Sequence, residues 1–142
     1  MALFGPLDAS ASGMRTYQTW LDTIGANIAN ADDTAPTSQR TYAPQWVVAQ
    51  ADGSTQYSSG VGGQVDGGGV HVGAIIQGSD AGEIVSDPTN PIADANGEVR
   101  QAQVDLPHQM TMMIQAERGY QANVSAIAHA KDAYEAALKL GA

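Results

Sequence analysis

Few residues in this chain are of types that do chemistry, and they are scattered. His71, His108 and His129 are the first candidates for a metal site or a proton relay. A metal needs three or four convergent ligands, and no acid stands three or four residues from a second histidine on one helix face. They read as surface or packing residues. The run Gly67-Gly68-Gly69-Val70-His71-Val72-Gly73 would let backbone approach a phosphate, but it lacks the Lys-Ser/Thr of a phosphate loop, and no helix is expected after it. Asp94-Ala95-Asn96-Gly97-Glu98 is similar to part of a calcium loop without its first acidic pair or its distal glutamate. Asp32-Asp33 could act as paired acids, yet they precede Thr34-Ala35-Pro36-Thr37-Ser38 and read as a solvated turn. Spacing alone assembles no Ser-His-Asp set. Met110, Met112 and Met113 could form an adaptable binding surface; filling a helix seam is the plainer reading. No catalytic residue, cofactor or metal is expected, and nothing argues for an enzyme.

The elements around these residues are more informative. Leu7, Met14, Leu21 and Ile28 fall seven residues apart, with Ser10, Tyr17, Ile24 and Ala31 three residues after each. That is a narrow stripe suited to a coiled-coil seam. It predicts a helix over about residues 7–31, roughly 37 Å long. Gly13 and Gly25 each cost such a helix about 1 kcal/mol relative to alanine. Alone it is marginal and needs a partner. A second helix is predicted from Pro107, with Asp105 just ahead of it, to Lys139 and Gly141. Met113, Tyr120, Ile127 and Tyr134 repeat every seven residues, and Ala116, Asn123, Ala130 and Ala137 take the companion line. Small residues there allow close approach of another helix. At about 50 Å the helix is too long for a small middle region to bury.

Between them, residues 41–49 read as a strand interrupted by Pro44, and residues 69–77 as a second strand. The Gly/Ser/Gln-rich stretch 52–69 reads as a long flexible loop. Asn96-Gly97 is a turn signal before a short strand at Glu98-Val99-Arg100. The expected fold is mainly α. Two long terminal helices, coiled-coil-like and antiparallel, flank a small loop-rich β region. The expected divisions are 1–31, 32–106 and 107–142, with the middle at one end of the helix pair.

Charge follows the same division. Residues 1–31 carry Asp8, Arg15 and Asp22, and residues 110–142 carry three acids and three bases. Ten acids face Arg40 and Arg100 in residues 32–109, so most of the net −9 lies in the middle. That suggests ends that pack and a middle that faces water. Nothing basic is available to neutralise nucleic-acid phosphates. No stretch approaches a membrane span, and the first residues lack the basic and apolar regions of a cleaved signal. The 142 residues are one domain's worth of chain. With one phenylalanine and no cysteine, they support a thin core and no disulfide.

Ala11-Ser12-Gly13-Met14 followed by Asn27-Ile28-Ala29-Asn30-Ala31 resembles the N-terminal signature of bacterial flagellar rod and hook proteins. Gly119-Tyr120-Gln121-Ala122-Asn123, then Ala130-Lys131 and Leu138-Lys139-Leu140-Gly141, resembles their C-terminal signature. The short length, Asp87 to Val99 leading into Val104-Asp105, and Met110-Thr111-Met112-Met113-Ile114 resemble the proximal-rod FlgC family most. The resemblance implies a structural subunit of the basal-body rod, a drive shaft. Its expected partners are copies of itself, other rod subunits, the flagellar export apparatus and membrane-ring proteins. It implies type III export without a cleaved signal peptide. The residues expected to pack subunits are Leu7, Met14, Tyr17, Leu21, Ile24, Asn27, Ile28, Asn30, Met113, Ala116, Tyr120, Asn123, Ile127, Ala130 and Tyr134. Another short rod protein, a coiled-coil adaptor outside the flagellum, and a small binding domain or enzyme using the acidic middle are the alternatives.

Overall fold

The computed structural model describes residues 5–52 and 68–140. Most of the glycine-rich stretch 52–69 lies outside them, as does Gly141. Helix α1 runs Gly5–Ala29 and helix α2 runs Leu106–Leu140. Asp105 caps α2: its carboxylate accepts the His108 N–H at 3.1 Å and its carbonyl the Gln109 N–H at 2.9 Å. Pro107 sits in the first turn, where its missing N–H costs nothing. The helices are antiparallel, because Gly13 meets Asn123, Tyr17 meets Gly119 and Asn27 meets Gln109.

Among the described residues five strands lie between them: β1 (Thr34–Ala35), β2 (Gln45–Ala51), β3 (Val70–Gln77), β4 (Glu83–Ser86) and β5 (Glu98–Gln101). They form two antiparallel sheets, one ordered β1-β5-β4 and the other the hairpin β2-β3. This overturns the expectation of a mainly α chain with a loop-rich middle: the middle carries two ordered sheets, and the architecture is α+β. The reason is non-local pairing. Thr34 pairs with Gln101, so a two-residue strand is held by a partner far along the chain. Val99 at the centre of the three-stranded sheet is 2% exposed and pairs with Val85. Arg100 clamps the sheet's flanking loops, donating to the carbonyls of Thr37 (2.9 Å) and Ala81. Gly97, at φ 79°, makes the turn into β5, a backbone angle that other residues rarely adopt.

The hairpin does not sit beyond the end of the helix pair, as expected of the middle region; it lies along α1. Val70 N–H donates to Ser12 Oγ at 3.0 Å near one end, and Asn27 binds Gln45 near the other. The α1 face meeting it is polar: Ser12, Thr16 and Thr23 are buried there. Their hydroxyls are satisfied locally, Thr16 donating to Ser12 O (3.1 Å) and Thr23 to Thr19 O (2.8 Å). So α1 is packed by α2 on one side and by the hairpin on another. Asp8, Arg15, Gln18, Asp22 and Ala29 remain as its exposed positions.

Candidate functional site

Among the described residues no group of three or more His, Asp or Glu could hold a metal ion. The structure does bring together a Ser, a His and an Asp that spacing could not. Ser12, Asp52 and His71 line a cavity of about 300 Å³ with Arg15, Thr16 and Thr19. His71 Nδ1 lies 2.5 Å from Asp52 Oδ1. The Ser12 hydroxyl, however, donates to Ala9 O at 2.7 Å and accepts from Val70 N–H. Its proton is committed to the helix, so it is a structural joint and not a nucleophile. Asp32 and Asp33 do not converge either. Asp33 accepts from Thr41 Oγ1 and Tyr42 N–H, both at 3.0 Å, and orders the loop after α1. Asp94 accepts from the backbone N–H of Asn96 and Glu98 at 2.8 and 3.0 Å and so closes the turn into β5.

The constellation with a clear physical design is the helix pair. Ala116 is 0% and Ile24 1% exposed, so the contact is tight at its centre. The backbones approach closely because glycine stands at two crossings. A Cβ on Gly13 would come within 2.8 Å of Asn123 Oδ1, and one on Gly119 would enter the Tyr17 ring. Tyr17 in turn stacks on Trp20, with ring centroids 6.0 Å apart.

Asn27 is the hub. It is 0% exposed and makes four hydrogen bonds, the full capacity of its side chain. Its Nδ2 donates to Gln45 O (2.8 Å) and Gln109 Oε1 (3.1 Å). Its Oδ1 accepts from Tyr42 Oη (2.9 Å) and Gln45 N–H (2.8 Å). Burial raises the Tyr42 pKa, which keeps that donor protonated. One amide thus joins α1, α2, β2 and the loop before it.

Of the residues expected to pack subunits, most turn inward. Ile24, Asn27 and Ala116 are buried within the chain. Leu7, Met14, Tyr17, Leu21, Ile28, Met113, Tyr120, Asn123, Ile127 and Ala130 are half-buried. Asn30 folds its amide back onto Ala26 O at 2.8 Å. Tyr134 is the exception, 46% exposed. The pairings that align Asn27 with Gln109 and Gly13 with Asn123 place Gly5 opposite about residue 131, given the equal rise of both helices. Residues 131–139 of α2 are all exposed. Tyr134 and Leu138, the latter 57% exposed, therefore continue the packing line beyond the described start of α1. Spacing passed over Gln109, which is 2% exposed. It stands four residues before Met113, on the same line, and was hidden by being polar.

Comparison with known proteins follows this division. A family model described as flagella basal body rod protein matches residues 7–35. A second, described as flagellar basal body rod FlgEFG protein C-terminal, matches residues 95–140. The chain is similar to the flagellar basal-body rod protein FlgC of Salmonella typhimurium, 33% identical over 141 residues with 99% of each chain covered. It is 31% identical over 150 residues to that of Bacillus subtilis, again with 99% of each covered. To that of Aquifex aeolicus it is 30% identical over 139 residues, covering 95% of this chain and 94% of the relative.

Proposed function

The chain belongs to the FlgC family of flagellar basal-body rod proteins, and on that premise we propose that its helix pair is the unit by which rod subunits pack together. It is a structural subunit of the basal-body rod, a protein of the flagellum and not an enzyme. The observation that carries the packing role is the apolar exposure at the end of α2, where Tyr134 is 46% and Leu138 57% exposed. The last turns of α2 present both side chains with no cover among the described residues. A rod needs such a projecting, nearly neutral helix end, because a head-to-tail contact that does not close on itself builds a filament.

In this reading Tyr134 and Leu138 contact a neighbouring rod subunit. Ile24, Asn27, Ala116 and the half-buried line on α2 hold the pair straight so that the projecting end is rigid. The neighbours are other rod subunits and further copies of the chain, in the proximal rod. Delivery is through the flagellar type III export apparatus in an unfolded state, and a fold with so thin a core is easily unfolded for it. The test is composition. Basal bodies purified from cells expressing the chain with Leu138→Asp should lack it, while those with the unsubstituted chain should contain it. Equal incorporation of both would remove the role of the α2 end.

A further inference from the structure

The chain holds one asparagine followed by glycine, Asn96-Gly97. In such a pair the side-chain amide and the next backbone nitrogen can react with each other, because glycine has no side chain to hinder the approach. The Gly97 nitrogen loses its proton and attacks Asn96 Cγ. The new N–C bond forms as the Cγ–N bond of the amide breaks, and ammonia leaves after taking up a proton. The product is a succinimide ring, which water opens at one of its two carbonyls. Opening at Cγ leaves an ordinary aspartate. Opening at the other leaves an isoaspartate, whose main chain runs through Cβ and is one carbon longer. The sum is one water taken up and one ammonia released, and the reaction needs neither oxidant nor cofactor. Asn96 is exposed, so water reaches its amide.

The fold holds that nitrogen back. Gly97 N–H donates to Asp94 O at 2.9 Å, and Gly97 O accepts from Asp87 N–H at 2.9 Å. The Asp94 carboxylate accepts the N–H on either side, that of Asn96 at 2.8 Å and that of Glu98 at 3.0 Å. Gly97 also rests on the Pro88 ring: a side-chain carbon there would stand 3.1 Å from Pro88 Cγ and 3.3 Å from Pro88 Cα. The residue that must swing toward Asn96 Cγ is thus held at its nitrogen, its carbonyl and its Cα. Removing the Gly97 proton costs its hydrogen bond, and the Asp94 charge opposes the negative charge that the nitrogen takes on. Reaction therefore requires the turn to open first.

We propose that Asn96-Gly97 is a deamidation site, locked by the Asp94 turn in the folded chain and released when the chain unfolds. The two products then part. An aspartate at 96 keeps the backbone and stands at an exposed position, so the turn closes as before. An isoaspartate adds one C–C bond, about 1.5 Å, to the main chain just before Gly97. The bonds from Gly97 N–H to Asp94 O and from Asp87 N–H to Gly97 O then cannot both form, because the Pro88 ring leaves no room for the shift. Strand β5 starts at the next residue, Glu98, and pairs with both β1 and β4. The three-stranded sheet therefore admits aspartate at this turn and rejects isoaspartate. A chain that waits unfolded loses, with time, its ability to form this sheet.

The test uses the full-length chain in mildly alkaline buffer, folded or in guanidinium chloride, with residue 96 read by peptide mass mapping. Mapping separates this site from Asp52-Gly53 and Asp66-Gly67, whose isomerisation leaves the mass unchanged. The folded chain should deamidate at least about tenfold more slowly than the unfolded one. Asp94→Ala, with helices verified by circular dichroism, should react several-fold faster than the unsubstituted chain in buffer and equally fast in denaturant. Chains aged in denaturant are then refolded, and the folded and unfolded fractions are mapped. Isoaspartate at 96 should concentrate in the unfolded fraction, while Asn96→Asp should refold as the unsubstituted chain does. Equal rates in the folded and unfolded chain overturn the lock, as does an unchanged rate in folded Asp94→Ala. Isoaspartate spread evenly over both fractions overturns the rejection by the sheet. The rate ratio and the refolding partition of the unsubstituted chain decide the proposal even where Asp94→Ala does not fold.

Discussion

Asn27 and Gln109, 82 residues apart in sequence, share a buried hydrogen bond of 3.1 Å that fixes the level of α1 against α2. Replacing Asn27 by Ala leaves Gln109 Oε1 and both backbone groups of Gln45 without their partner. The expected loss is roughly 2–4 kcal/mol in urea unfolding, since each buried group left unpaired carries a desolvation cost. Asn27→Ala and Gln109→Ala should be non-additive, because one removes the partner of the other. Full additivity would mean the bond does not couple the helices.

Two glycines in similar helical settings should respond in opposite directions. Gly25 has open space where a side chain would stand, so Gly25→Ala should raise stability by up to about 1 kcal/mol through helix propensity. Gly119 faces the Tyr17 ring, so Gly119→Ala should lower stability by about 1–3 kcal/mol despite the same propensity gain. Adding Tyr17→Leu should recover part of that loss. Thermal unfolding of the three variants checks the set.

Acid should weaken the three-stranded sheet through its turns. The backbone N–H of Glu98, then that of Asn96, holds Asp94 below the usual carboxylate range, and the side chains of Thr89 and Asn90 do the same for Asp87. A carboxylate whose pKa is lowered by folding contributes stability above its unfolded value, and this is lost as pH falls through the folded one. Tm should therefore hold from neutral pH to about 5 and fall below about 4, the ordinary carboxylate range. Asp94→Asn should start lower at neutral pH and fall less steeply in acid. An unchanged slope would show that this turn does not contribute.

Much of α2 was legible because its packing line is written in residues that recur at seven. Met113, Ala116, Tyr120, Asn123, Ile127 and Ala130 all fall among its buried or half-buried positions. Helix α1 was legible as a helix but not in its surroundings. Ser12, Thr16 and Thr23 fall on neither seven-residue line, yet they are buried, because helix carbonyls satisfy their hydroxyls. Of the strands, β3 and β5 carry their own signals in Val70–Ile76 and Asn96-Gly97. The two-residue β1 and the exposed β4 carry almost none, because their order comes from pairing with β5. Ile127→Asp, natural to suggest from the heptad, would strike the monomer's own fold. Leu138, exposed at the end of α2, separates assembly from folding. Leu138→Asp should leave the unfolding free energy within about 0.5 kcal/mol, as expected of a surface site.

The most direct measurement is imaging of basal bodies from a strain in which the gene for this chain is deleted. The expected result is membrane-embedded rings without a completed rod and cells that do not swim. Both should be restored by the unsubstituted chain and not by Leu138→Asp. Complete rods in the deletion strain, or full swimming with Leu138→Asp, would contradict a rod subunit that assembles through the projecting end of α2.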